Sequence, residues 1–103
     1  MNRVKFIRDD TYEFVKSFDN NLALKIFGLL EILDQLGTHL GSPKLKKITK
    51  EIYELRIMGK ISVRILCTFH KGEIYILHGF IKKTQKIPIK ELDKAIHRLK
   101  YLP

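Results

Sequence analysis

Three apolar, β-rich runs crowd into the second half of this chain, at residues 52–58, 61–69 and 74–81, and only short segments around Gly59-Lys60 and Lys71-Gly72 part them. Two-residue, Gly-containing connections between such runs are hairpin signals, so the spacing predicts an antiparallel meander. Side chains alternate across a strand, which places Ile61, Val63, Ile65, Cys67 and Phe69 on one face and Ser62, Arg64, Leu66, Thr68 and His70 on the other. The first face is expected in the core and the second in water.

The flanking segments supply helices to cover such a sheet. Residues 3–7 alternate as a short strand until Asp9-Asp10 stops it. Asp10 with Glu13 resembles a capping box, and Phe14, Val15 and Phe18 give a short first helix its apolar stripe. Leu22, Ile26, Leu29, Leu33 and Leu36 recur at helical spacing, Leu30 and Ile32 widen that stripe, and Gly37 ends the second helix. After a loop to Pro43 and a basic segment come the three strands; Pro88 then opens a last helix with Ile89, Leu92, Ile96 and Leu99 in phase. The expected order is β-α-α-β-β-β-α, an α+β domain with helices packed on one face of a mainly antiparallel sheet.

Length and charge set the function classes. With 103 residues and no linker or repeat, the whole of 1–103 reads as one domain. A single Cys67 forms no internal disulfide and no Cys/His cluster has zinc spacing, so a reducing cytoplasm is expected, with no metal and no cofactor. The N-terminus lacks an apolar signal region and no run approaches a membrane span, so no membrane role is expected. The net charge is +9, but residues 1–43 carry −1 and residues 44–103 carry +10. A half-chain so basic points to a polyanion, nucleic acid ahead of membrane.

Strand parity groups the candidate site. Glu54 and Arg56 share a face, Arg64 lies on the polar face of the next strand, and His78, Phe80 and Lys82 share a face of the last. If those faces coincide, they form a surface that holds a phosphodiester. No paired carboxylates suit two metals and no P-loop is present. RNA needs neither, because its 2′-hydroxyl attacks the adjacent phosphate once the strand is positioned and the transition-state charge is stabilised. Arginine supplies a permanent forked cation, His78 or Glu54 is a candidate for proton transfer, and Phe80 for stacking a base. Lys82, Lys83 and Lys86 form a dense phosphate-binding run with Gln85, whereas Lys46 and Lys47 belong to a wider electrostatic footprint. Each feature also has a plainer reading: a Glu54–Arg56 surface pair, a structural His78, a core Phe80 and a solvated Lys loop.

Taken together, Tyr53-Glu54-Leu55-Arg56, Val63-Arg64-Ile65-Leu66 and Leu77-His78-Gly79-Phe80-Ile81-Lys82-Lys83-Thr84-Gln85-Lys86 with Pro88 resemble the phage-derived HigB-like branch of the RelE/ParE toxin superfamily. The resemblance implies a RelE-like fold and the toxin of a type II toxin–antitoxin module, an mRNA endoribonuclease acting at the ribosome without a metal. It implies a HigA-like helix-turn-helix antitoxin as partner, with operator DNA reached only through the complex. On matching positions Arg56, Arg64 and Lys82 are the cationic set, with Glu54, Lys83 and Gln85 secondary. The chain departs from the pattern in that the C-terminal Tyr or His of many relatives is not evident after the last strand, Tyr101 lying beyond a helix. A ParE-like gyrase poison and a non-catalytic RNA-binding module are the alternatives on the same scaffold.

Overall fold

The structure is a computed structural model covering residues 1–103. Its strands are β1 (Val4–Phe6), β2 (Leu45–Lys47), β3 (Tyr53–Ile57), β4 (Val63–His70) and β5 (Glu73–Ile81); its helices are α1 (Asp9–Lys16), α2 (Asn20–Leu36) and α3 (Ile89–Arg98). The five strands form one sheet in the order β1-β5-β4-β3-β2, antiparallel except for β1 beside β5. This is the α+β architecture that the hydrophobic periods predict, with one strand more. The segment expected as a basic stretch pairs Leu45, Lys46 and Lys47 with Leu55, Glu54 and Tyr53. Three residues with one buried side chain carry too short an alternation to be seen in the sequence.

Local chemistry explains most element ends. Lys71 and Gly72 turn the β4–β5 hairpin with positive φ at both, the conformation that matches the twist of the flanking strands. Asp19 caps α2 by accepting from the Leu22 amide, and Gly37 terminates it. The expected capping box at Asp10 does not form. Arg8 occupies the cap position without a side-chain bond, and the Asp10 carboxylate instead accepts from Arg98 Nη2 at 2.9 Å, tying α1 to α3. Asp34, near the end of α2, accepts from the amides of Arg3 and Val4 at 2.7 and 2.8 Å and so anchors β1. Those amides hold the Asp34 carboxyl below its usual range, the Val4 bond contributing most.

The two faces of the sheet are covered differently. On one, α1 and α2 bury Val15, Ile26, Leu30 and Leu33 against Leu55, Ile65, Cys67 and Ile76. Gly79 on β5 also faces this layer. A Cβ there would lie 2.9 Å from the Phe14 ring, so glycine lets α1 approach the strand. The other face was expected to be wet, yet α3 folds back over part of it and buries Leu66, Leu77 and Phe80 with Ala95. Thus β4 is buried on both sides from Val63 to Thr68. The apolar phase expected for α3 is shifted accordingly: Ala95 is buried with Leu92 and Leu99 packed beside it, while Ile89 is 78% exposed. A bulge opposite Leu66 and Cys67 leaves Leu77 without a partner and sets Ile76 and Gly79, three residues apart, towards the same layer. Cys67 is buried, and burial pushes its thiol up to about 12, so it packs as a small apolar side chain. No helix is long and apolar enough to cross a membrane.

Candidate nucleic-acid interface

The part of the second face that α3 leaves uncovered is the basic one. Across it, β3 presents Glu54 and Arg56, β4 presents Arg64 with Ser62 just before it, and the chain leaving β5 presents Lys82. Arg56 and Arg64 are directly opposed in the β3–β4 ladder, and Arg64 is opposed to Phe80 on its other side. The Lys82 amide donates to the Ser62 carbonyl at 2.8 Å, which holds the start of the Lys82–Lys86 loop against β4. A cleft of about 540 Å³ results, lined by Arg56, Ser62, Arg64, Lys82, Lys83, Thr84 and Gln85 and by no apolar side chain. A second hollow of about 310 Å³ adjoins it, sharing Arg56, Lys82 and Gln85 and adding Lys46, Lys47, Glu54 and Lys86 together with the apolar Ile48 and Ile87.

Glu54 organises these cations from below. Its carboxylate is 1% exposed; one oxygen accepts from Arg56 Nε at 3.1 Å and the other lies 3.7 Å from Arg64 Nε. Two opposed guanidiniums repel, and a buried carboxylate between them is the charge that lets both stay. Arg64 is itself 5% exposed and donates from Nη1 to the Val63 carbonyl at 3.1 Å. Burial, aided by the like charge of Arg56 and opposed by Glu54, lowers the Arg64 pKa, yet a guanidinium remains protonated throughout the ordinary pH range. Arg64 Nε and one Glu54 oxygen are buried without a hydrogen-bond partner. These two atoms face each other at 3.7 Å, so each has the other's charge as its partner at a distance just beyond a hydrogen bond.

The sequence-derived residues divide into two groups. Arg56, Arg64, Lys82, Lys83 and Gln85 line the larger cleft, with Glu54 beneath; Lys46, Lys47 and Lys86 line its extension. His78 and Phe80 share the sheet face but lie under α3. His78 Nε2 is 2.8 Å from Glu91 Oε1 on α3, and its ring stacks on Phe80 at 5.9 Å. Burial lowers the His78 pKa, against the Glu91 hydrogen bond and charge that raise it. Phe80 is 4% exposed, within the cluster of Leu66, Leu77 and Ala95, so its ring is covered where a stacking surface was expected. Parity assigned these residues to the correct face; the path of α3 decides which are covered. Ser62 and Thr84, not singled out as site residues, join the cleft through the strand-to-loop contact; the signals for them are the strand parity that Ser62 shares with Arg64 and the place of Thr84 inside the Lys82–Lys86 run. No three His, Cys, Asp or Glu side chains gather closely enough to hold a metal ion.

Chemically the cleft offers fixed cations, hydroxyl and amide donors, and no apolar floor. Such a lining suits an extended phosphate backbone and gives little to a compact apolar ligand.

Residues 13–100 match the family model described as Phage derived protein Gp49-like (DUF891). No curated protein matches the chain. The match spans all but the first strand, the start of α1 and the last three residues, and it includes every residue of the cleft. The chain therefore belongs to the Gp49-like phage-derived protein family, a family of RelE/HigB-like toxin type.

Proposed function

We propose that this protein is the toxin of a type II toxin–antitoxin module and inhibits translation by cleaving mRNA on the ribosome. The observation that carries the reading is the Arg56–Glu54–Arg64 arrangement opening into a wholly polar cleft beside Lys82. A backbone phosphate in that cleft meets forked donors from two strands and an ammonium from the loop. The RNA 2′-oxygen attacks the adjacent phosphorus, its proton passing to water in the open cleft. The bond to the 5′-oxygen then breaks and that oxygen takes a proton from water, leaving a 2′,3′-cyclic phosphate and a 5′-hydroxyl. Arg56, Arg64 and Lys82 stabilise the charge that builds on the phosphorane, and Glu54 holds the arginines in place. Lys83, Gln85 and Lys86 position the strand on either side. His78, engaged with Glu91, takes no part in proton transfer in this scheme and instead fixes α3. A HigA-like helix-turn-helix antitoxin is the partner, and operator DNA is reached only through that complex.

Expression of the chain alone is expected to arrest growth, with transcripts cut within coding regions. Arg64→Ala, checked for folding by circular dichroism, should lower cleavage on programmed ribosomes by about 10²–10³-fold, the usual loss on removing one preorganised charge stabiliser. DNA breakage with intact mRNA would instead assign a gyrase-directed toxin, and salt-dependent RNA binding without arrest a non-catalytic module.

A further inference from the structure

A second cationic hollow lies between α3 and the segment joining β1 to α1. It holds about 490 Å³ and shares no residue with either hollow of the phosphate cleft. The two arginines that line it, Arg8 and Arg98, share one carboxylate, as Arg56 and Arg64 share Glu54. Asp10 Oδ2 lies 2.9 Å from Arg98 Nη2 and 3.4 Å from Arg8 Nε. Burial works against the Asp10 charge, but Arg98 and then Arg8 hold its carboxyl below the usual range. Arg98 also donates from Nη1 to the Leu77 carbonyl at 2.8 Å, so its guanidinium is fixed to β5 as well. Along α3 and the turn after it, Lys90, Lys94, His97 and Tyr101 follow at intervals of four, three and four, one row on the wall of the hollow. Lys90 and Lys94 enter no ion pair, so their ammonium groups are free for an anion.

We propose that this hollow binds a nucleotide, with its phosphate on Lys90, Lys94 and Arg8, its base against Tyr101 and a ribose hydroxyl on Asp93. Tyr101 is 51% exposed and is the one aromatic ring of the lining. His97 crosses that ring at 78° and Lys100 Nζ lies 5.3 Å from its centroid, which steadies the ring without enclosing it. Asp93 is the one carboxylate of the lining, placed to accept from a ribose hydroxyl. The phosphate cleft has the reverse composition: its cations have no aromatic partner, because Phe80 is covered. A base therefore finds a stacking surface at α3 and none in the cleft. An acidic peptide or an inorganic polyphosphate gains from the lysines but leaves Tyr101 unused and meets the like charge of Asp93. An apolar ligand finds a single ring among charges.

A free mononucleotide and a nucleotide within an RNA strand present the same three groups, so either source can fill the site. The position of the hollow gives binding a consequence for the fold. A ligand held by Lys90, Lys94 and Arg8 bridges α3 to the chain after β1, adding to the Arg98–Asp10 bond that already ties α3 to α1. Occupancy therefore stabilises the helix that covers His78 and Phe80. None of this rests on the ribonuclease reading above.

The test is a titration of the isotope-labelled, full-length protein with AMP, followed by the amide signals. The largest shifts are expected at Arg8 and over residues 90–101, ahead of those around Arg56 and Lys82. Inorganic phosphate and adenosine should each bind about tenfold or more weaker than AMP, since each engages only part of the site. Tyr101→Leu and Lys94→Gln should each weaken AMP binding about tenfold, the first by losing the stack and the second a phosphate contact. Asp93→Ala should remove the preference for AMP over its 2′,3′-dideoxy analogue. All three side chains are exposed, so the variants should keep the wild-type melting temperature in the absence of ligand. Largest shifts in the phosphate cleft, phosphate binding as tightly as AMP, or AMP affinity untouched by Tyr101→Leu and Lys94→Gln would overturn the proposal. So would displacement of AMP by an equal concentration of a poly-glutamate peptide, since that assigns the hollow to charge alone. With the site established, 2′-O-methyl RNA separates the two sources. Weaker RNA binding by Tyr101→Leu assigns a strand, and unchanged RNA affinity with AMP binding lost assigns the free nucleotide. Failure of mRNA cleavage in the wild type leaves the AMP readout intact and bears only on the ribonuclease.

Discussion

The two faces of one sheet have taken opposite courses in this molecule. Under α1 and α2 the strands bury apolar residues continuously, from Leu45 and Leu55 through Ile65 to Ile76 and Val4. On the opposite face α3 closes a smaller cluster around Leu66, Leu77 and Phe80, then stops, and the remaining strand ends carry Glu54, Arg56 and Arg64. The first face accounts for why the chain folds. The open part of the second face carries charges that Glu54 holds in place and that, on the proposed reading, meet a ligand of opposite sign. The lesson is that burial alone does not separate core from candidate site: Arg64 is nearly as buried as the core, but it lies opposite Arg56 as well as Phe80, with its guanidinium beside the Glu54 carboxylate.

Substitutions on the two faces should therefore break different things. Leu30→Ala on the closed face should cost about 2–5 kcal/mol in chemical denaturation, the range for a fully buried leucine, with the midpoint shifting and the RNA affinity of the folded fraction unchanged. Glu54→Gln on the open face should cost about 2 kcal/mol, below the usual ~3–5 for breaking a buried pair, because Arg56 is partly exposed and the Gln oxygen still accepts from it. It should also loosen Arg56 and Arg64, so that cleavage falls by more than the stability change explains. A loss of stability without a loss of cleavage would place Glu54 in the core and not in the site.

The junction between the faces has a pH signature. The His78 pKa lies below its ordinary 6.5, chiefly because the ring is buried beneath α3. The folded state then holds fewer protons than the unfolded chain near that value. Its stabilisation is complete above about pH 6.5 and is lost as the pH falls through the folded-state value. Thermal melts of the wild type should drop across that acidic window, and His78→Gln should flatten the drop. An unchanged slope would show that burial beneath α3 does not perturb the titration of His78. A smaller effect is expected at Gly28, where Ala should stabilise the exposed interior of α2 by about 0.8–1 kcal/mol in denaturant titrations without altering RNA affinity.

Much of this division is legible in the residues. Alternation in β4 separates Ile65 and Cys67 from Arg64, and strand parity alone places Arg56, Arg64 and Lys82 together. What it misses has a common cause. Periodicity reports which way a side chain points, not what lies over it. The burial of Phe80 and His78 depends on α3 returning across the sheet, a tertiary event fixed by Ala95, Leu92 and the Arg98 bonds to Leu77 and Asp10. The bulge at Leu77 and the three-residue strand β2 are similarly invisible, since each is one residue's departure from a pattern or too little of one. Likewise, the helical spacing in α2 predicts an apolar stripe, but only the structure shows that Ile32 and Leu36 belong to the side left uncovered.

The central claim is that the open face, and not the excess charge as such, binds the RNA strand. Its most direct test compares two variants of equal net charge, Lys82→Gln in the cleft and Lys16→Gln on α1, each taking the chain from +9 to +8. The quantity measured is the dependence of 2′-O-methyl RNA affinity on salt concentration. Lys82→Gln should lower the log–log slope by about 0.7, one single-strand phosphate contact, and Lys16→Gln should leave it at the wild-type value. Equal slopes for the two variants would contradict the account.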